Sequence, residues 1–439
     1  MNKSFTRNST GENLMKSLQK PSGDSDKPGA KLLHNISRDI ERDSQKIRDF
    51  LIQMLRINSV NSKMGGPGEK ERADFLQAFL ENEGFKVDRV EAPVSEDRGS
   101  THPSLFTQIQ GRDTSRTMWI VSHMDTVPEG SRELWNNDPF DPIFRDGKIF
   151  ARGASDNGQS LVASLVALKE LRDIGEPLPF NVGVSLVADE EFDSKAGIYY
   201  LLDQNKFRKK DLVIVEGGSY RGRQISVAEK HLLWIKLTTH GKQVHASHPS
   251  NGLNAHKIGM KIALDLDSKL HQKYSRSDPF FDKEHRSTFV ITKKDANVGN
   301  INTIPGIDAI YMDFRVLPSY SMDSVISFVR SRIKKLESQN KTKIELQIIE
   351  RQDGGPATAP EAEIVRLVQR AVPSVTKQST KLVGLSGQTV GNVFREYGYP
   401  CVGWGCSEAE STAHQPNEYY TMTNLLMEAK AFSAIPFFA

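Results

Sequence analysis

Apolar residues recur at helical spacing over 38–55, at Ile40, Ile47, Phe50, Leu51, Met54 and Leu55, and again over 71–83, at Phe75, Leu76, Phe79 and Leu80. This pattern predicts two amphipathic helices. The run Gly65-Gly66-Pro67-Gly68 breaks the chain between them. The pattern then changes to short continuous apolar runs at 104–110, 117–121, 182–188 and 211–216, which read as buried strands. A helix is predicted over 160–173, with Leu161, Leu165 and Leu168 on one face. Strands alternating with helices predict an α/β sheet.

From about residue 226 the order changes. Strands are predicted at 232–239, 288–292, 308–314 and 344–349, and helices at 255–272 and 324–336. This β-α-β-β-α-β order is that of a ferredoxin-like α+β unit. After the turn-rich Asp353-Gly354-Gly355-Pro356, a helix at 361–371 and a strand at 401–403 resume the α/β pattern. The expected organisation is one α/β domain in two parts, 36–224 and 353–439, interrupted by an inserted unit at 225–352. Residues 1–35 are polar, carry no hydrophobic segment and are expected to form a disordered extension rather than a signal peptide.

Composition narrows the class. The chain of 439 residues is long enough for two domains, and its formal charge of +3 is spread along the sequence. No basic, aromatic-interleaved face suggests nucleic acid; the run Lys206-Phe207-Arg208-Lys209-Lys210 reads as a solvated helix end. No apolar stretch approaches the roughly 18–20 residues that span a bilayer. Cys401 and Cys406 are the only cysteines, too few for a thiolate metal clip, so free thiols in a reducing, cytoplasmic setting are expected. Any metal would be held by His and carboxylates.

Such residues gather at strand ends. His123 and Asp125 follow the strand at 117–121, Asp189-Glu190-Glu191 follow that at 182–188, and Glu216 closes that at 211–216. A Gly-bearing loop presents Asp156, and a loop after the strand at 401–403 carries His414 and Glu418. Open α/β sheets place ligand sites at the carboxyl ends of their strands. Each residue alone has an ordinary explanation as a helix start or polar turn. As a set, two His and several carboxylates without thiolates suit two zinc, cobalt or manganese ions.

The ordered motifs Ser122-His123-Met124-Asp125-Thr126-Val127-Pro128, Asp138-Pro139-Phe140, Gly153-Ala154-Ser155-Asp156, Asp189-Glu190-Glu191, Asn302-Thr303-Ile304-Pro305 and His414-Gln415-Pro416-Asn417-Glu418 carry a resemblance. The chain resembles the zinc-dependent amidohydrolase and metallopeptidase family of succinyl-diaminopimelate desuccinylase, acetylornithine deacetylase, aminoacylase and glutamate-releasing carboxypeptidases, from about residue 40 to the C-terminus. The resemblance implies an α/β di-metal catalytic domain with an inserted ferredoxin-like lid and dimerisation domain. It implies two divalent ions, zinc first, with Asp156 bridging, His123 and Glu216 completing one shell, and Glu191 and His414 the other. Asp125 would orient His123, and Glu190 would be the general base that takes a proton from a bridging water and delivers it to the leaving amine. The peptide after Asp156 would be cis.

In the inserted unit His245 resembles a histidine that reaches across a dimer interface to stabilise the oxyanion; an interface or capping role is the alternative. His240, His248 and His256 read as surface or packing residues. Asn302 and Arg315 match substrate-binding positions, although Arg315 equally suits a salt bridge within its sheet. Two departures stand out: Asn157-Gly158 replaces a Lys-Gly pair, and Asn392 stands where desuccinylases tend to place a substrate-gripping Arg. The function implied is hydrolysis of a linear amide in an N-acylated amino acid, desuccinylase- or deacetylase-like, with a dipeptidase or carboxypeptidase as the alternative. A catalytically silent binding protein is the third reading, set against the presence of every ligand and the base. The expected partners are a small acyl-amino-acid or dipeptide substrate and a second copy of the chain, with neither nucleic acid nor membrane.

Overall fold

The computed structural model describes residues 29–93, 101–281 and 285–439. In chain order the main elements begin with helices α1 (Ala30–Arg42), α2 (Ser44–Leu55) and α3 (Lys70–Asn82). Strands β1 (Asp88–Pro93), β2 (Thr101–Ile109) and β3 (Asp113–His123) follow, then α4 (Gln159–Ile174), β4 (Phe180–Val187), β5 (Leu212–Val215) and β6 (Gln224–Glu229). Next come β7 (His231–His240), α5 (Ala255–Lys273), β8 (Thr288–Lys294), β9 (Ile307–Val316), α6 (Met322–Asn340) and β10 (Lys343–Gln352). The chain ends with α7 (Glu363–Thr376), β11 (Lys381–Leu385), α8 (Val390–Glu396), β12 (Cys401–Gly403) and α9 (Met422–Ala434).

Eight strands make one sheet in the order β1-β2-β4-β3-β5-β12-β6-β11. Its centre, β4-β3-β5-β12, is parallel. Along β3, Met118 and Ile120 join one apolar cluster while Trp119 and Val121 join another. That period of two buries the strand on both faces, which is why its sequence reads as an unbroken apolar run. α4 is apolar nearly all round and lies buried against α9 and the sheet. In register, His123 stands opposite Val187. The acidic run after β4 therefore emerges beside His123-Met124-Asp125, and Glu216 follows the end of β5 on the other side.

The inserted strands form a second, antiparallel sheet in the order β8-β9-β7-β10, the ferredoxin-like arrangement. α5 and α6 cover one face through their own apolar cluster, which includes Leu233, Ile235, Ile262, Leu266, Val329 and Ile333. No described helix is long and apolar enough to cross a membrane.

Several expected boundaries move. The single helix expected over 38–55 is α1 and α2, because the chain turns at Asp43. α1 starts at Ala30, since Ile36 and Ile40 bury against the core, so residues 30–35 are helical rather than part of the expected extension. The rest of that expectation, residues 1–28, lies outside the described residues. The inserted unit, expected from 225, leaves the large sheet only after Glu229, because Ile225 and Val227 pack into the large core. β1 and β11 escaped the apolar pattern: β1 is an edge strand with Ala92 as its buried residue, and β11 contains Gly384.

Gly183 on β4 allows the ring of Trp119 to cross it: a Cβ built there would lie 2.4 Å from Trp119 Cζ3. Gly183→Ala is expected to overpack this crossing and to lower stability by about 1–3 kcal/mol, read as a lower midpoint in denaturant unfolding with an unchanged slope.

Candidate metal centre

Five chain segments converge at the carboxyl ends of the parallel strands. His123 Nε2 lies 3.0 Å from Asp156 Oδ1 and 2.9 Å from Glu216 Oε2. His414 Nε2 lies 3.2 Å from Asp156 Oδ2 and 3.2 Å from Glu191 Oε2. Asp156 thus offers one oxygen to each imidazole. Ligand atoms of His123, Glu190 and Glu216 come within 4.8 Å of one another, as do those of His123, Asp156 and Glu191. The structure brings together every residue expected to hold metal, and Glu190 with them.

Each arm has its own support. The Asp156 loop is held by Glu418, which is fully buried. Its Oε1 accepts the amides of Ser155 (2.7 Å) and Asp156 (3.0 Å), and its Oε2 accepts that of Gly153 (2.9 Å) and Arg152 Nη1 (2.6 Å). Gly153 has φ +79°, and a Cβ there would meet Thr126 Cγ2 at 2.6 Å, so glycine is required at this turn. The Asp156–Asn157 peptide is cis. Asn157, one of the departures in sequence, donates its side-chain amide to Glu216 Oε2 and so orients a proposed ligand. On the other side Asp125 accepts the amides of Glu190 and Glu191, each at 3.1 Å. Its backbone carbonyl, at 3.0 Å, is the nearer partner of His123 Nδ1, with its carboxylate at 3.6 Å. The imidazole is therefore aimed chiefly by the main chain of Asp125, while the carboxylate holds the acidic loop.

The electrostatics are those of a cation site. Burial opposes protonation of His123, yet Glu216, Asp125 and Asp156 hold it well above the usual imidazole range. Asp156 and Glu191 raise His414 to about 10. Burial opposes ionisation of Asp156, but His123 and His414 hold its carboxyl below the usual range. Burial, with Glu216 next, pushes Glu190 well up; burial and Asp156 push Glu191 to about 7. Four carboxylates crowded around two imidazoles carry charge that two divalent cations would balance. Glu191 Oε1 is buried without a hydrogen-bond partner, as expected of an oxygen kept for a ligand. The donor set fits hard or borderline divalent ions held by nitrogen and oxygen.

Two cavities adjoin Glu190. One, of about 310 Å³, runs past His414, Ser407 and Glu408; the other, of about 180 Å³, is walled by Tyr199, Asn392 and Val393. Glu190, Glu191, Gln388 and Thr389 line both. Asn392, expected to bind substrate, lines the smaller cavity. His245 and Asn302 lie together, with 3.5 Å between His245 Nε2 and Asn302 Nδ2, but both are exposed on the inserted unit and line neither cavity. Arg315 also lines neither. Its Nε bonds Asp313 Oδ1 at 3.1 Å, the intrasheet salt bridge that the sequence left open beside a substrate contact. The sequence showed Glu418 beside His414 but gave no sign of its task, because its partners are main-chain amides of a distant loop.

Glu418→Gln removes the charge from this support. It is expected to weaken divalent-cation binding by about 10- to 100-fold, measured by calorimetric titration with Co²⁺; unchanged affinity would show that the Asp156 loop holds itself.

Comparison with known proteins places this geometry. Residues 119–436 match Peptidase family M20/M25/M40. The chain is 36% identical over 401 residues to an uncharacterized metallohydrolase of Methanocaldococcus jannaschii, covering 87% of this chain and 96% of that protein. It is 28% identical over 398 residues to succinyl-diaminopimelate desuccinylase of Nautilia profundicola, covering 88% of this chain and 98% of the relative. Its fold matches an M20 family metallo-carboxypeptidase of Sulfolobus solfataricus with a TM-score of 0.69 at 21% identity, covering 89% of this chain and 98% of that one. The chain belongs to the M20/M25/M40 peptidase family, as a metal-dependent hydrolase.

Proposed function

We propose that the protein hydrolyses a linear amide bond in a small N-acylated amino acid. The observation that carries this reading is Asp156, which turns one carboxylate oxygen to His123, itself beside Glu216, and the other to His414, itself beside Glu191. Two divalent ions, with zinc preferred over cobalt or manganese, would be held by those five residues. Bound there, they would polarise an amide carbonyl and make hydroxide available near neutral pH. Glu190 supplies the proton transfer. Its carboxylate is disfavoured by burial and by Glu216, so it is disposed to accept a proton from water and pass it to the departing amine. Its position would also suit a ligand, and its assignment as base follows the family resemblance.

The two cavities divide the substrate at Glu190. Among the described residues neither is lined by Lys or Arg. The smaller one presents the amides of Asn392 and Gln388 instead. An uncharged acyl group such as acetyl suits that wall better than succinyl, whose carboxylate would meet no cation there. A dipeptidase is the second reading, favoured by Glu408 on the wall of the larger cavity, where a free α-amino group would find an acid. His245 and Asn302 would join the site from a second copy of the chain.

Two experiments test these readings. The Co²⁺- or Zn²⁺-loaded protein should turn over acetylated amino acids faster than succinylated ones, and Glu190→Gln should keep both metals while losing at least about 100-fold in kcat. Turnover of dipeptides alone would replace the leading reading, and a fully active Gln variant would remove Glu190 as the base. In sedimentation the active species should be a dimer, and His245→Ala should lower kcat without lowering metal content; an active monomer would end the role given to His245.

A further inference from the structure

Behind the acidic loop, Asn61 is fully buried in the turn between α2 and α3. Its Oδ1 accepts the amide of Lys63 at 3.0 Å, which turns its NH₂ toward the centre. That single nitrogen donates to Asp125 Oδ2 at 2.9 Å and to Asp189 Oδ1 at 3.1 Å. Both acids are fully buried. Asp125 holds the amides of Glu190 and Glu191, while Asp189 Oδ2 takes Lys63 Nζ at 2.8 Å and the amide of Ala196 at 2.9 Å. The amide of Asp189 in turn donates to Glu69 Oε1 at 3.1 Å. Asn61 itself is fixed by the main chain, its N–H donating to Thr126 O at 3.1 Å.

The residue type matters. Two carboxylates facing one point repel each other unless a donor with two hydrogens lies between them, and a primary amide supplies both without adding charge. Ser has one hydrogen, and Asp would bring a third carboxylate into the same buried space. We propose that Asn61 is a positioning residue: it braces Asp125 against Asp189 and so fixes the main chain from which Glu190 and Glu191 project into the centre. The inference rests on the reading of Glu191 as a ligand and Glu190 as the base. Asn61 touches neither.

The test is metal binding by the full chain, which needs no substrate. Asn61→Asp and Asp189→Asn should each weaken Co²⁺ binding by about 10- to 100-fold and alter the visible Co²⁺ spectrum. The double variant should be no weaker than the worse single one, because both break one brace. A residue that merely supported the fold would lower the unfolding midpoint while leaving the affinity and spectrum of the folded protein alone. If Asn61→Asp does not fold, Asn61→Ser, which keeps one hydrogen and adds no charge, reads the same quantity with a smaller loss. Parental affinity and spectrum in the variants that fold, or additive losses in the double variant, overturn the proposal. A parent protein that binds Co²⁺ but cleaves no amide would overturn the proposed function and leave this brace standing.

Discussion

The carboxylate of Asp125 is the hinge on which the centre depends. Fully buried, it can stay ionised only if its oxygens are occupied by donors, and the donors it finds are the amides of Glu190 and Glu191 and the side chain of Asn61. Its own carbonyl meets His123. The end of β3 and the loop after β4 therefore cannot shift independently: moving either would strand a buried anion or a main-chain amide.

The same rule recurs around the site. Arg72, buried in the first turn of α3, gives Nη1 to the carbonyl of Met124 at 2.9 Å and Nη2 to that of Ile57 at 2.7 Å, pinning the end of β3 to the end of α2. Glu418 and Arg152 hold the Asp156 loop in the same way. On the far wall Glu229 pairs with Arg395 and accepts the amide of Thr389 at 2.8 Å, which sets the loop carrying Gln388 and Asn392. Three buried acids thus each hold one wall, while the acids assigned to metal and proton transfer face the cavities, together with Glu408 and Asp193. Among the acids assigned to metal, Glu191 by contrast keeps one buried oxygen, Oε1, without a protein donor.

Much of the architecture was legible because hydrophobic burial leaves a periodic trace. The central parallel strands, α4 and the β-α-β-β-α-β unit all stand where apolar period and turn residues place them. β1 was missed because an edge strand buries few residues, and α1 was merged with α2 because one turn residue, Asp43, leaves the apolar period intact. The His and acid residues at strand ends were legible for a related reason: a strand's last residue dictates where its loop begins.

By itself the sequence determined the fold class and set His123, Glu190, Glu191 and Glu216 at the ends of apolar runs; that Asp156 and His414 join them was implied by the family resemblance, since both stand in loops that no apolar run marks. Only the tertiary structure decided how those residues are held. Asn61, Asn157 and Glu418 act on main-chain amides and carboxylates far away in sequence, and no local pattern marks a polar residue whose partners arrive through folding. It also decided that Arg315 serves its own sheet and that Asn392 looks onto the smaller cavity, because a side chain's partner depends on which strands become neighbours.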